Sequence, residues 1–253
     1  MAFVVEAMRQ HPRSEGELAD LFAGGWPVYI DADALAAEHL PTVRERFADF
    51  ELALVLDGRL AAAGWGVPIV WDGDVASLPA GYSETLAQAV VPGGSDPRSA
   101  AGSGEAATCF VVCAVQVRPD LAGNGMAATT LLEALVALAD SRGCTRVLAP
   151  LRPTLKHRYP LIPIEQYATW TRDDAAPFDP WLRLHTRLGA SVLATTDSSQ
   201  VFTGTVAQWE GWTGLSMPGS GSYIINGALA PLRVDREADR GTSHEPGIWV
   251  QHR

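Results

Sequence analysis

The sequence predicts a mixed α/β fold, because one continuous segment contains an apolar strand, a glycine loop, a helix and a second strand. The first strand, Thr108–Val117, ends at Arg118-Pro119, and the second ends near Pro150. Proline stops a strand because it has no N–H group to donate. Two further observations agree: helical patterns precede this segment, and Asp57-Gly58 joins two apolar runs, which is a strong hairpin signal.

The N-terminal third is predicted to contain helices and short strands in alternation. Ser14 caps a first helix over residues 14–24, with Glu17 three residues on as in a capping box. Pro27–Ile30 is a short strand candidate, and Asp33–Phe50 carries the apolar period of a helix. The other predicted elements are the hairpin strands 51–56 and 59–65, a helix over 83–90 and a Gly-, Ser- and Pro-rich loop over 92–104.

The loop that follows the strand Thr108–Val117 is predicted to bind an anion. It runs from Asp120 to Ala127 and contains Gly123 and Gly125. Glycines let the backbone curl so that successive N–H groups face one point, and the helix adds the positive end of its dipole there. We interpret the loop as a cradle for a pyrophosphate. A dinucleotide fingerprint would need a third glycine, and a P-loop would need a Gly-Lys-Ser/Thr ending; both are absent.

This arrangement resembles motif A of the GNAT acyltransferases, which bind acetyl-CoA. There the loop reads Gln/Arg-x-x-Gly-x-Gly/Ala, and Ala122 stands here in place of the leading Gln/Arg. GNAT chains also carry a later helix that reads roughly Tyr-x-x-x-Gly-Phe. The stretch Trp181–Ala190 fits that frame, with Gly189 at the turn and His185 where the tyrosine would be. Because two motifs occur in the right order, the chain is identified as a member of this superfamily.

The resemblance implies a GNAT fold, with a mixed, mostly antiparallel central sheet flanked by helices, in a single domain over residues 1–253. The core would cover about 27–207, with insertions at 66–107 and 151–180 and a C-terminal extension at 208–253. The resemblance also implies acetyl-CoA as the acyl donor, held by the strand backbone and by the glycine loop. The residues expected to contact it are Val115, Gln116, Val117, Ala122, Gly123, Asn124, Gly125, Met126 and Ala127.

Four side chains are candidates for the chemistry. His185 occupies the position from which the GNAT tyrosine protonates the CoA thiolate, and imidazole, with a pKa of about 6.5, exchanges protons near neutrality. Thr154 lies just past the second strand, and Tyr159 and Tyr167 follow it. The aromatic residues of 151–180 are expected either to line an acceptor pocket or to cover the core. No metal site is predicted, and the three cysteines are expected to be buried thiols.

Three functions stay open on this basis. The first is a CoA-dependent N-acyltransferase in which a small-molecule amine attacks acetyl-CoA directly in a ternary complex. The second follows from a resemblance to the GNAT-like loading domains of polyketide synthases, which decarboxylate malonyl-CoA or load an acyl carrier protein. In that case Thr154 and His185 would act as a pair, and the basic segment Arg152–Arg158 would meet the acidic carrier. The third is an acyl-CoA-binding homologue without catalysis.

Composition and charge limit the classes of binding partner and the cellular location that we expect. The formal charge of −10 at pH 7 argues against nucleic acid, whose binding needs a basic face. No window approaches the roughly 18 uninterrupted apolar residues of a membrane span. The N-terminus lacks the pattern of a signal peptide, so we expect a cytoplasmic protein. The aromatic C-terminal tail leaves a homodimer open.

Overall fold

The computed structural model describes residues 2–23, 25–91 and 107–252, and in this part of the chain seven α-helices accompany a sheet of nine strands. The strands are β1 (Val4–Ala7), β2 (Glu51–Leu56), β3 (Arg59–Trp71), β4 (Ala107–Val117), β5 (Arg146–Leu151), β6 (Ser191–Gly204), β7 (Gly221–Tyr223), β8 (Leu232–Asp235) and β9 (Arg240–Gln251). The helices are α1 (Glu15–Phe22), α2 (Ala34–Arg46), α3 (Tyr82–Val90), α4 (Met126–Ser141), α5 (Ile164–Ala168), α6 (Pro180–Arg187) and α7 (Val206–Thr213).

The sheet is mixed and mostly antiparallel, as predicted. Its order is β1-β2-β3-β4-β5-β9-β8-β7, and β6 pairs with β9. Among the strands described, only β4 and β5 run parallel. A parallel pair needs a crossover connection, which α4 provides. None of the helices in the described ranges is long and apolar enough to cross a membrane.

The main core lies where α4 packs on the sheet. Leu131, Leu132 and Leu135 of α4 are fully buried, because their spacing places them on the inward face of the helix. A second buried cluster surrounds Trp209 of α7. Its indole N–H donates to the Gly241 carbonyl at 2.9 Å, so α7 is fixed to the start of β9.

Local signals in the N-terminal third are mostly confirmed. The capping box of Ser14 and Glu17 is formed, and Asp57-Gly58 joins β2 to β3. The strand predicted at Pro27–Ile30 is wrong: the Ile30 N–H donates to the Pro27 carbonyl at 3.0 Å, and a 3-10 helix, Ile30–Ala32, follows. The Gly-, Ser- and Pro-rich loop at 92–104 lies outside the described residues.

β3 extends to Trp71, six residues beyond the predicted end at residue 65. β2 accompanies it only as far as Trp65, so the later part of β3 has a strand partner on one side only. Pro68 is accommodated there, because an edge position needs no N–H donor. The segment 66–71, which we expected to belong to an insertion, therefore continues the sheet.

The segment that we expected to be a C-terminal extension contributes a central strand. β9 pairs with β6 along one edge and with β5 and β8 along the other. Ile248, Trp249 and Val250 are all buried, as in strands covered on both faces. Residues beyond 208 are thus integral to the sheet that forms the site.

Candidate active site

β4 and β5 separate in the middle of the sheet. They pair only over Cys109–Val111, opposite Arg146–Leu148. Farther along, β4 keeps β3 as its partner on one edge, while β5 pairs with β9. Between Val112 and Val117, the other edge of β4 therefore has no strand partner among the described residues. Its backbone N–H and C=O groups on that edge face a gap.

A β-bulge lies at the point of separation. Trp65 pairs with Ala114 and Gly66 with Val112, so Cys113 is the extra residue. A bulge bends its strand, which turns β4 away from β5. Gly66 permits the close approach of the two strands, since a Cβ there would lie 2.3 Å from the Val111 carbonyl oxygen.

A cavity of about 1380 Å³ fills this gap. A single small ligand usually occupies roughly 300–1,000 Å³, so the volume is sufficient for two substrates. The residues predicted from the sequence that line it are Val115, Gln116, Val117, Ala122, Gly123, Gly125, Thr154 and His185. Its lining does not include Met126, Ala127, Tyr159 or Tyr167.

The glycine loop leads directly into the first turn of α4. Residues Pro119–Asn124 form a 3-10 helix, and Gly125 follows with φ 71° and ψ −8°, a left-handed conformation that favours glycine. α4 has 16 residues, and the N–H groups of its first turn have no acceptor within the helix. This end attracts anions. For Met126 and Ala127, whose side chains lie outside the cavity lining, a contact with an anion would come from the backbone.

The Gln116 side chain lines the cavity and also hydrogen-bonds to two backbone carbonyls of the fold. Its side-chain amide donates to the carbonyls of Leu21 and Val117, both at 3.2 Å. The side chain therefore holds the end of α1 against β4. Val115 and Val117, on either side, are half-buried, so their part in binding a ligand rests on the strand backbone.

His185 is fully buried in the cavity wall. Its Nδ1 lies 2.8 Å from Nε2 of His252, and its Nε2 has no hydrogen-bond partner among the residues described. Trp181 packs edge-on against the ring, with centroids 4.5 Å apart. Burial, and secondly the charge of His252, lower the pKa of His185 to about 3. The ring is therefore neutral at pH 7.

Asp179 holds the residue after Thr154 and the start of α6 together. This carboxylate is 2% exposed. It accepts hydrogen bonds from four donors, namely the N–H groups of Leu155 (2.8 Å), Trp181 (2.9 Å) and Leu182 (3.3 Å) and the hydroxyl of Tyr167 (2.8 Å). Thr154 and the helix that carries His185 are thus positioned by one side chain, which sequence reasoning missed.

Tyr159 and Tyr167 belong to an aromatic cluster with Trp170 and Phe178. Ring centroids within it are 4.9–6.2 Å apart, in edge-on or tilted contacts. Tyr167 is 2% exposed, and burial followed by the Asp179 charge raises its pKa. Of the two expectations for the aromatic residues of 151–180, the cluster fits the core role, and we do not assign these tyrosines a catalytic role.

The cavity wall contains an ion pair between the buried Glu245 and the partly exposed Arg152. Glu245 of β9 is 1% exposed and accepts from Arg152 Nε at 2.7 Å and Nη2 at 3.2 Å. The Tyr29 hydroxyl donates to the same carboxylate at 3.3 Å; burial and then the Glu245 charge raise the pKa of Tyr29. The pair joins positions 93 residues apart, so no local sequence signal predicted it.

The basic segment Arg152–Arg158 does not form the solvent-facing patch that a carrier protein would need. Arg152 is engaged by Glu245, and Lys156 is only 1% exposed. The Lys156 ammonium donates to the carbonyls of Tyr159 at 2.9 Å and Leu229 at 2.7 Å. Two of the three cations therefore stabilise the fold from inside.

The three cysteines are buried, as predicted. Burial raises the pKa of Cys109 to about 12 and that of Cys144 to about 11, so neither is a ready nucleophile at pH 7. Within the described part of the chain, no group of three or more His, Cys, Asp or Glu residues is arranged to hold a metal ion.

Two solved structures have this fold over their whole length. The loading GNATL domain of CurA from Lyngbya majuscula matches with a TM-score of 0.59 and 15% identity, over 99% of this chain and 97% of that chain. A GphF GNAT-like decarboxylase in complex with isobutyryl-CoA matches with a TM-score of 0.56 and 18% identity, over 100% and 98%. The predicted GNAT fold is thereby confirmed.

One curated protein is also similar in sequence. Arginine N-acetyltransferase avaD from Aspergillus versicolor is 31% identical over 143 residues, which cover 49% of this chain and 49% of that protein. The chain thus spans about half the length of the curated relative that it matches. No protein-family model matches the chain. The chain thus has the GNAT fold, and over about half of its length it is similar in sequence to an arginine N-acetyltransferase.

Proposed function

We propose that the protein is a CoA-dependent N-acyltransferase that moves an acetyl group from acetyl-CoA to a small-molecule amine. The observation that carries this proposal is the separation of β4 and β5 over a cavity lined by both the glycine loop and His185. The edge of β4 that has no strand partner among the described residues offers N–H and C=O groups to the amides of the pantetheine arm. The first turn of α4 offers N–H groups to the pyrophosphate.

The donor would lie along β4. Val115, Gln116 and Val117 would contact the pantetheine arm through their backbone, and the segment Ala122–Ala127 would hold the pyrophosphate. The thioester would then lie near the bulge at Cys113. Backbone N–H groups that point at the carbonyl oxygen stabilise the negative charge that develops there during attack.

His185 would move the proton. The amine attacks the thioester carbonyl carbon in its neutral form, after an ammonium group has released one proton to water. Its nitrogen must then lose a further proton, and the CoA sulfur gains one as the C–S bond breaks. A neutral imidazole can accept the first proton at Nε2, the ring nitrogen left without a partner among the described residues. Thr154, which lines the same cavity, would contact the acceptor or the thioester.

A cationic amine is the acceptor to test first. The cavity lining carries charges of both signs: the carboxylates Asp31, Asp33 and Glu245, and the arginines Arg44, Arg152, Arg183 and Arg187, of which Arg152 pairs with Glu245. Asp33 is 2% exposed and has no ion pair among the described residues, although its oxygens accept hydrogen bonds. A cation near Asp33 would be attracted to this carboxylate. The similarity to an arginine N-acetyltransferase supports arginine and its analogues as the first acceptors to test.

Decarboxylation is a second candidate, because Thr154 and His185 share one cavity. Malonyl-CoA would lose carbon dioxide, and the carbanion left behind would take a proton to give acetyl-CoA. Transfer to a carrier protein is less well supported, since two of the cations expected to meet that protein are engaged inside the fold.

Mass spectrometry of two incubations separates the candidates. The first contains acetyl-CoA with arginine, other cationic amines and one uncharged amine; the second contains malonyl-CoA alone. We expect an acetylated cationic amine and an equal amount of free CoA from the first, and no acetyl-CoA from the second. Acetyl-CoA from malonyl-CoA, without an acetylated amine, would replace the proposal by the second candidate. If the protein binds CoA but converts neither acetyl-CoA nor malonyl-CoA, the third candidate, an acyl-CoA-binding protein without catalysis, would replace the proposal.

A further inference from the structure

Two imidazole rings in series lead away from the cavity. His185 lines the cavity and is fully buried, whereas His252, just after β9, is half-buried and is not part of the lining. The rings are joined by the 2.8 Å contact between Nδ1 of His185 and Nε2 of His252. The backbone N–H of His252 donates to the Val147 carbonyl at 2.9 Å, which fixes this residue against β5.

The contact between the rings couples the tautomer of one ring to that of the other. A neutral imidazole has one N–H donor and one acceptor nitrogen, so the two facing nitrogens hold a single proton between them. When Nδ1 of His185 holds it, Nε2 of that ring is an acceptor. When His252 holds it, Nε2 of His185 carries a hydrogen and is a donor. The position of one proton therefore makes His185 a base or an acid.

A positive charge is more stable on His252 than on His185. The His185 ring has no solvent contact and packs against Trp181. His252 is partly exposed, so water can stabilise its charged form. Burial lowers the pKa of His252 too, whereas burial and then the His252 charge lower the pKa of His185 to about 3. Among the described residues, His252 is the one charged group that shifts the pKa of His185, and none shifts that of His252.

We propose that His252 is a positioning residue that relays protons between His185 and water, an inference that rests on the acyl transfer proposed above. The amine N–H bond breaks as the Nε2–H bond of His185 forms. The Nδ1–H bond of His185 breaks as the Nε2–H bond of His252 forms. His252 then gives its Nδ1 proton to water. The reverse sequence supplies a proton to the CoA thiolate, so no charge accumulates on the buried ring.

Two variants of His252 test the relay by kinetics. His252→Gln keeps a side chain that can hydrogen-bond but cannot carry a proton onward, and His252→Phe keeps a ring without the hydrogen bond. Both should lower kcat roughly ten- to a hundredfold, less than the 10²–10⁴-fold usual for loss of a general acid or base because His185 itself stays in place, while the Kd for CoA stays within about twofold. His244→Gln, an exposed position on β9 with a contact to Ser198, is the matched control and should behave as wild type. Folded His252 variants with wild-type kcat would overturn the relay.

A titration followed by ¹⁵N NMR of the imidazoles tests the same inference without turnover. As the pH falls, both nitrogens of His252 should become protonated while His185 stays neutral with its hydrogen on Nε2. Protonation of His185 before His252 would overturn the inference. If the wild-type protein transfers no acyl group, only the proposed function is refuted, because the order of protonation can still be measured. If wild type is active and the His252 variants have the same kcat, only the relay is refuted.

Discussion

Replacement by alanine should change the free energy of unfolding differently at Gly125 and at Gly123, because the two residues have different backbone conformations. Gly125 has φ 71°, where a residue with a Cβ loses roughly 1–2 kcal/mol. A Cβ there would meet only Leu184 Cδ1, at 3.6 Å, which is an ordinary contact. The cost of Gly125→Ala is therefore conformational, and the free energy of unfolding should fall by about 1–2 kcal/mol. The free energy of unfolding should fall less in Gly125→Asn, because asparagine adopts the left-handed backbone conformation more readily than alanine.

Gly123→Ala is the matched control. A Cβ at Gly123 would have no neighbour within 4 Å, and the residue lies outside the left-handed region, so the variant should lose no stability. Urea unfolding followed by circular dichroism measures all three variants against wild type. Equal losses in Gly123→Ala and Gly125→Ala, or a larger loss in Gly125→Asn than in Gly125→Ala, would refute the conformational argument.

In a folded Gly125→Val protein, CoA should bind at least tenfold more weakly, about 1.4 kcal/mol.

Three other predictions concern His185 and Asp179. His185→Ala should lower kcat by about 10²–10⁴-fold and change the Kd for CoA only a few-fold; steady-state kinetics with wild-type kcat would contradict this. Between about pH 6.5 and pH 3, His185 binds a proton in the unfolded chain but not in the folded protein. The free energy of unfolding of wild type should therefore fall by up to about 1.4 kcal/mol per pH unit as the pH falls. Urea unfolding at pH 7.5 and 5 should show a smaller loss in His185→Gln, and an equal loss would contradict the low pKa. Asp179→Ala removes the acceptor of four donors, two of them in buried hydrogen bonds, and should lower the free energy of unfolding by at least about 2 kcal/mol, whereas Asp179→Asn should lower it less; equal melting of the two would contradict the capping role.

Local signals were sufficient to predict much of the fold. The Asp57-Gly58 turn and the capping box of Ser14 each act over a few residues, and the structure contains both. Features that depend on distant partners were not predictable in the same way. The bulge at Cys113 depends on its register against β3, and the central place of β9 depends on pairing with β5 and β6, which come much earlier in the chain.

The candidate site was predictable only in part, for a related reason. The spacing from His185 to Gly189 placed this histidine on the helix that borders the cavity. Aromatic density, in contrast, does not separate a pocket wall from a core, and Tyr167 lies in a buried cluster. The contact with His252 joins positions 67 residues apart, and no spacing rule connects them.

An amide NMR titration with CoA tests the acyl-CoA site most directly. We expect the largest chemical-shift changes at the backbone amides of residues 112–117 and 123–128, because the pantetheine arm would lie along β4 and the pyrophosphate at the start of α4. The amides of β1, at the far edge of the sheet, should not change. Saturating CoA that leaves both segments unchanged, or that shifts other amides more strongly, would contradict the account.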